Sequence, residues 1–190
     1  RKQLYPHEEK LGVFLCEEYL GEHCGRVAHE LYARGRLSFQ HLVEAMGMSL
    51  PTNGALPAVD ARRAALAHLT GRRIVAMVDE GLKPSDILTK KAFENAIRAN
   101  AAVGGSTNAV VHLLAIAGRV GVDLALADFE KGSDIPLLVN CMPSGKFLME
   151  DFAYAGGMPV VLKELAGQGH LDKAKTVLGN DISDYAEGAE

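Results

Sequence analysis

Thr89-Lys-Lys-Ala-Phe93-Glu-Asn-Ala-Ile97-Arg-Ala-Asn-Ala101-Ala-Val-Gly104-Gly105-Ser106-Thr107-Asn108-Ala-Val110-Val111-His112-Leu-Leu114-Ala-Ile116-Ala-Gly118 carries the fold in its spacing. Thr89 is a helix N-cap, and Phe93, Ile97 and Ala101 recur at the helical interval behind it. Gly104 and Gly105 break the pattern, and Val110, Val111, Leu114 and Ile116 resume it from about Thr107 to Gly118. The stretch therefore predicts two helices meeting at a glycine corner. At that corner Ser106, Thr107 and Asn108 stand where the unpaired N–H groups of a helix start gather, and Gly105 lets backbone approach a ligand. Such a place suits an oxyanion. The alternative is a plain helix–helix corner in which Ser106 or Thr107 serves only as a cap. His112, four residues after Asn108, shares its helical face, as a site residue or as a core histidine.

Outward from this corner the chain reads as helix after helix. His7 to about Arg34 shows a helical pattern in Leu11, Phe14, Leu15, Tyr19, Val27 and Leu31. Ser38 is placed to cap a helix carrying Phe39, Leu42, Val43 and Met46, closed by Gly47. A long helix is expected from about Val59 to Asp79, with Leu66, Leu69, Ile74, Val75 and Val78 on its buried side. Pro84-Ser-Asp86 reads as a short turn, and Asp128 falls in another short helix. Ile135-Pro-Leu-Leu-Val139 is the best strand candidate, a continuous apolar run suited to burial on both faces, with Thr176-Val-Leu178 as a second. Phe147 to Tyr154 is helical, Pro159 opens the next helix at its first position, and Asp181 to Ala186 closes the chain helically.

A second glycine-bracketed stretch, Pro143-Ser144-Gly145-Lys146-Phe-Leu-Met-Glu150-Asp151, has the same character as the first. Lys146 is expected in a helix's first turn, where a cation works against the dipole unless an acid or a ligand answers it. Glu150 and Asp151 are adjacent, so they point to different faces and form no paired-carboxylate site alone; surface ion pairing is the plainer reading.

Composition narrows the remaining classes. The 190 residues are 48% hydrophobic and 23% charged, which allows one packed domain or a large piece of a bigger one. A net charge of −4 and 6% aromatics without Trp argue against a nucleic-acid surface. No apolar run approaches the ~20 residues that span a bilayer. Arg1 to Lys10 lacks the apolar core of a signal peptide, and the absence of an initial Met predicts a processed or partly represented protein. The three cysteines, Cys16, Cys24 and Cys141, have no CxxC spacing, which predicts a reducing, cytoplasmic compartment rather than a disulfide scaffold.

Seven motifs stand in a characteristic order. Glu44-Ala-Met-Gly-Met-Ser-Leu-Pro51, Gly71-Arg-Arg-Ile-Val75, Lys83-Pro-Ser-Asp-Ile-Leu-Thr89, Ala92-Phe-Glu-Asn-Ala-Ile97 and Gly104-Gly-Ser-Thr-Asn-Ala109 come first. Pro143-Ser-Gly-Lys-Phe-Leu-Met-Glu-Asp151 and Ala155-Gly-Gly-Met-Pro159 follow. From about Ser38 onward the chain resembles the dihydroxy-acid dehydratase and 6-phosphogluconate dehydratase family, and Leu138-Val-Asn140 and Ala153-Tyr-Ala-Gly-Gly157 are most like its aldonate branch (arabinonate, xylonate, gluconate). The resemblance divides the chain into a helical segment, 1–37, outside the match, and a dehydratase-family portion, 38–190.

That resemblance implies an α/β fold, a helix-rich three-layer α/β/α domain that is part of the family's N-terminal domain, with few, short buried strands. It implies a hydro-lyase that dehydrates a 2,3-dihydroxy sugar acid to a 2-keto-3-deoxy acid, and a homo-oligomer acting on a small sugar acid without nucleic acid or membrane. The cofactors it implies are a [2Fe-2S] or [4Fe-4S] cluster on three cysteines and Mg2+ on carboxylates. A poor hydroxide leaving group needs such an electrophile. The family's Cys-Asp-Lys motif and its late serine motif are absent here. Glu30-Leu-Tyr-Ala-Arg34 stands near the place of its Gly/Ser/Thr-rich cysteine loop. No metal ligand and no catalytic residue carries over. What does carry over is a substrate-binding expectation for Gly105, Ser106, Thr107, Asn108, Ser144, Gly145 and Lys146, facing one shared cleft. The alternatives are a non-catalytic relative that binds a sugar acid or a protein partner, and a purely structural helical domain.

Overall fold

The computed structural model describes residues 36–57, 60–130, 132, 134–141 and 145–187. The helix expected over His7–Arg34 lies outside them. Nine helices are found among the described residues: α1 (Arg36–Ala45), α2 (Ala61–Asp79), α3 (Pro84–Ile87), α4 (Lys90–Ala102), α5 (Asn108–Val120), α6 (Leu126–Glu130), α7 (Met149–Tyr154), α8 (Gly157–Gly167) and α9 (Ser183–Glu187). The unit is helix-rich. Its β structure, among the described residues, is two isolated bridges, Cys141 with Phe147 and Lys175 with Asp181, so these residues by themselves build no layered sheet.

α4 is the axis of the core. Thr89 Oγ1 accepts from the Ala92 N–H at 3.4 Å, as the capping pattern predicts. Ala92, Phe93, Asn95, Ala96, Ile97, Ala99 and Ala102 are all buried, and the four small alanines let neighbouring elements close on the helix. Leu42 from α1 with Met46 just after it, Leu113 from α5, Met158, Leu162 and Leu165 from α8, and Tyr185 from α9 with Ile182 just before it complete one apolar cluster with Phe93. Asn95 ties α4 to the chain beyond α8. Its Nδ2 donates to the Asp172 carbonyl and its Oδ1 accepts the Asp172 N–H, both at 2.8 Å. Arg98 donates to the Asp172 carboxylate at 2.6 Å beside it.

Several boundaries and faces differ from the sequence reading. Ser38 lies inside the first turn of α1 rather than before it. Gly47 does follow that helix, at φ +77°, and a Cβ there would meet the Lys175 carbonyl at 2.9 Å. α2 is capped by Asp60, whose carboxylate accepts from the Arg62 N–H. Its apolar residues do not form one buried side: Met77 is buried and Leu66 half-buried against Leu50, Ile87 and Val177, whereas Val75 and Val78 are 62% and 75% exposed. The reason is angular. At 100° per residue Leu66, Arg73 and Met77 share one side, and Ile74, Val75 and Val78 fall on the other. Pro84–Ile87 closes into a single helical turn. Pro159 is the third residue of α8, because the helix starts at Gly157.

Neither strand forms. The Leu138 and Val139 N–H groups both donate to the Ala102 carbonyl, at 2.8 and 3.3 Å, so the run caps the end of α4 and Leu137 stays 66% exposed. A strand needs a neighbouring strand, and a helix terminus took its place. In the second run the Val177 N–H donates to the Gly47 carbonyl and the Thr176 N–H to Asn180, which makes a tight turn around the Lys175–Asp181 bridge.

Candidate functional site

The glycine corner is built by the end of α4. Val103 donates to the Ala99 carbonyl, Gly104 takes φ +65°, and the Gly105 N–H returns to the Asn100 carbonyl at 2.8 Å. This left-handed turn satisfies carbonyls that the helix end would leave bare. A Cβ on Gly105 would lie 2.0 Å from Asn100 Oδ1, so the Asn100 amide packs directly on the Gly105 backbone. That Oδ1 is buried and has no hydrogen-bond partner. Asn100, Gly105 and Thr107, with Ile97, Val110 and Phe129, line a shallow groove of about 230 Å³. Ser106 Oγ accepts the Asn108 N–H at 3.2 Å, which is a capping role at the start of α5. Thr107 makes no side-chain cap bond. Ser106, Thr107 and Asn108 are exposed.

His112 is buried although Asn108 is exposed. Its ring meets the Phe39 ring edge-on at 6.0 Å, and burial lowers its pKa below the usual 6.5. Its burial is that of a core histidine, but its Nε2 has no hydrogen-bond partner.

The second loop hangs on Asn140. The Asn140 carbonyl accepts from the Lys146 and Phe147 N–H groups at 3.1 and 3.0 Å, its Oδ1 accepts from Lys146 N at 3.2 Å, and the Cys141 carbonyl accepts from Gly145 N at 2.8 Å. A Cβ on Gly145 would come 2.3 Å from the Asn140 carbonyl carbon, so the turn admits only glycine. Ser144 lies outside the described residues. Lys146 is exposed and precedes α7 instead of joining its first turn, so no conflict with the helix dipole arises. Asp151 caps α7 by accepting the Leu148 N–H at 2.8 Å, and Glu150 accepts from the Tyr154 hydroxyl at 3.3 Å. Both acids have structural duties.

One segment joins the two loops. Leu137 Cδ1 stands 3.0 Å from where a Gly104 Cβ would be, and three residues on Asn140 holds the second loop. Three residues span at most about 11 Å. Gly105 and Thr107 share the 230 Å³ groove, whereas Gly145 and Lys146 do not line it.

Sequence reasoning missed a buried ionisable pair under α1. Glu44 is fully buried; its Oε1 accepts the Thr52 N–H and its Oε2 the Gly54 N–H, each at 2.6 Å. Burial pushes its carboxyl up to about 7, against those two bonds. His41, one helical turn earlier, is pushed down to about 4 by burial, and its Nε2 has no partner. The signal was available. Glu44 occurs among the apolar positions of its helix, ahead of an Asn53-Gly54 turn that could supply N–H groups.

The donor set of the described residues does not fit an iron–sulfur cluster. The cluster that the resemblance implies takes three thiolates, and the one described cysteine, Cys141, is kept as a thiol: burial, then the nearby Asp151 charge, raise its pKa, and its Sγ donates to the Leu148 carbonyl at 3.7 Å. Among the described residues no three His, Cys, Asp or Glu side chains gather as metal ligands. None of the described helices is long and apolar enough to cross a membrane.

Residues 36–185 match the model of the dihydroxy-acid/6-phosphogluconate dehydratase N-terminal domain. The chain is 64% identical over 143 residues to the L-arabinonate dehydratase of Rhizobium leguminosarum bv. trifolii (strain WSM2304), covering 74% of this chain and 25% of the relative. It is 58% identical over 151 residues to the L-arabonate dehydratase of Azospirillum brasilense, covering 78% and 26%. It is 47% identical over 150 residues to the D-xylonate dehydratase of Caulobacter vibrioides (strain ATCC 19089 / CIP 103742 / CB 15), covering 78% and 25%. The chain thus spans about a quarter of the length of these relatives. Their names are all those of dehydratases and lend no support to a non-catalytic module.

Proposed function

The chain belongs to the dihydroxy-acid/6-phosphogluconate dehydratase family, and we propose that it supplies one wall of the site at which such a hydro-lyase converts a 2,3-dihydroxy sugar acid to its 2-keto-3-deoxy product. The observation that carries this reading is the joining of both glycine loops by Leu137–Asn140. The relatives named for arabinonate and xylonate support a five-carbon aldonate as the substrate class.

In this reading Gly105, Ser106, Thr107 and Asn108 bind the sugar acid through backbone N–H and hydroxyl donors. Asn100 Oδ1, lacking a donor, suits a substrate hydroxyl. Ser144, Gly145 and Lys146 form the second contact, with the Lys146 ammonium offsetting the carboxylate charge. That offset matters chemically, because a C2 proton beside an uncompensated carboxylate resists removal. The cluster and Mg2+ of the family would supply Lewis-acid chemistry at the departing hydroxyl, and no step through them is assigned to the residues described. The three-layer α/β/α arrangement, the homo-oligomer and a cytoplasmic location are further parts of the proposal. Residues 38–190 form its dehydratase portion.

The test is an NMR titration of the chain with L-arabinonate, against acetate as a control. Amide shifts at Gly105–Asn108 and Gly145–Phe147 that acetate does not produce, and that Lys146→Ala weakens about tenfold, are the expected result. Shifts at neither loop, or the same shifts with acetate, would sink the reading.

A further inference from the structure

Helix α1 touches both of the helices that stand behind the two glycine loops. Phe39 meets His112 of α5 edge-on at 6.0 Å, and His41 meets Phe152 of α7 edge-on at 5.4 Å. Residues two apart on a helix point about 200° from each other, so the two contacts leave α1 on opposite sides. Each contact backs one loop. His112 stands one turn after Asn108, whose N–H donates to Ser106 Oγ. The Phe152 N–H donates to the Leu148 carbonyl at 3.2 Å, and the Phe147 N–H just before it donates to the Asn140 carbonyl.

Both histidines are buried, His41 4% and His112 8% exposed, and neither Nε2 has a hydrogen-bond partner. A phenyl ring would fill either place without leaving a polar atom bare. While neutral, each imidazole is an ordinary edge-on ring partner. A second proton makes both ring nitrogens donors and puts a charge where nothing accepts it, so the ring must leave its pocket to ionise. Burial lowers the pKa of His112 and takes that of His41 to about 4. The sign is that of a depressed base: docking is full above 6.5 and is lost as pH falls through the docked value.

Charged groups on the surrounding elements are engaged elsewhere. Glu44, one turn beyond His41, takes the Thr52 and Gly54 N–H groups, and the Tyr185 hydroxyl donates to the Ser49 carbonyl. On α7, Asp151 takes the Leu148 N–H and Glu150 the Tyr154 hydroxyl. On the helices that flank α5, Lys90 pairs with Asp128, and Arg98 pairs with Asp172. Arg119 lies in the last turn of α5, away from His112. Glu44 titrates with the opposite sign, because burial raises its pKa, so it cannot imitate a release by acid.

We propose that α1 is the common mount of the two glycine loops, with His112 the positioning residue of the first and His41 that of the second, each releasing its loop on taking a proton. The use of such positioning rests on the reading of the loops as a sugar-acid wall, but its first test needs no ligand. That test is NMR of the 190-residue chain from about pH 7 to 3.5, following the histidine rings and the backbone amides. The Gly105–Asn108 amides are expected to move with the His112 ring and the Gly145–Phe147 amides with the His41 ring, while Phe93–Ile97 in α4 hold steady. His112→Phe keeps a ring at the contact that cannot ionise, so it abolishes the first response and spares the second; His41→Phe does the reverse. A second-loop response that survives His41→Phe belongs to Asp151 and overturns the proposal. Both loops answering to either histidine overturn it too, as does movement of α4 along with them. Should His41→Phe fail to fold, His112→Phe carries the test. At pH 7, His112→Ala weakens the L-arabinonate shifts at Gly105–Asn108 by about fivefold, and His112→Phe restores them. A chain that ignores arabinonate yet shows both loop titrations sinks the wall and upholds the mount.

Discussion

At the scale of single residues, two glycines of the candidate site differ in what lies beneath them. A Cβ on Gly105 would strike a side-chain oxygen, Asn100 Oδ1, whereas on Gly145 it would strike the backbone of Asn140. A side chain can turn away and backbone cannot. Gly105→Ala is therefore expected to destabilise by about 1 kcal/mol and Gly145→Ala by about 3 kcal/mol, read by urea denaturation. Equal effects would mean the loop around Gly145 is softer than its hydrogen bonds imply. The glycines themselves were legible in the sequence, since they interrupt helical spacing. Asn100 and Asn140 were not. Nothing in spacing discloses which amide will fill the space a glycine leaves.

At the scale of elements, the legible helices were those whose signals are local. Thr89 and the Phe93, Ile97, Ala101 series fixed α4 because cap and stripe lie within one stretch of chain. Ile135–Val139 failed as a strand because pairing depends on what else is near, and the end of α4 was nearer than any strand. α2 was legible as a helix but not in its orientation. It rests on a small cluster and on Arg73, which pairs with Glu80 and donates to Val177. Arg73→Lys keeps the charge and loses the fork, so about 1 kcal/mol should be lost. Hydrogen exchange should then quicken in α2 and stay unchanged in α4, which the larger cluster holds. Uniform quickening would show that the two helices open together.

For the whole molecule, the two groups buried under α1 set opposite pH dependences. The Glu44 pKa is about 7 when folded against 4.5 unfolded, so its contribution is full below 4.5 and is lost as pH rises to about 7. The His41 pKa is about 4 when folded against 6.5, so its contribution is full above 6.5 and is lost as pH falls to about 4. Between about pH 4.5 and 6.5 the slopes oppose each other, and the stability that these groups govern is nearly level. Glu44→Gln removes one slope and leaves an N–H of Thr52 or Gly54 facing an amide. Stability should drop by about 1–3 kcal/mol and then rise with pH from 4 to 6.5. Denaturation of this variant across that range checks the sign; a falling curve would contradict the His41 environment. The seven ordered motifs made the family readable. How near the two glycine loops lie was not, because that distance is a property of the packed chain and of no motif in it.

The Ala102 carbonyl holds two successive amides, those of Leu138 and Val139, and Asn140 is the next residue. The interval between the glycine loops is thus counted in residues from a fixed peg, and it has no slack. A residue inserted after Val139 would move Asn140 one position further from that peg and cast off the Gly145–Phe147 loop, while one inserted in the turn before α6 would be absorbed there. Length variants at those two places would tell a tolerated insertion from an intolerable one within twenty residues of sequence.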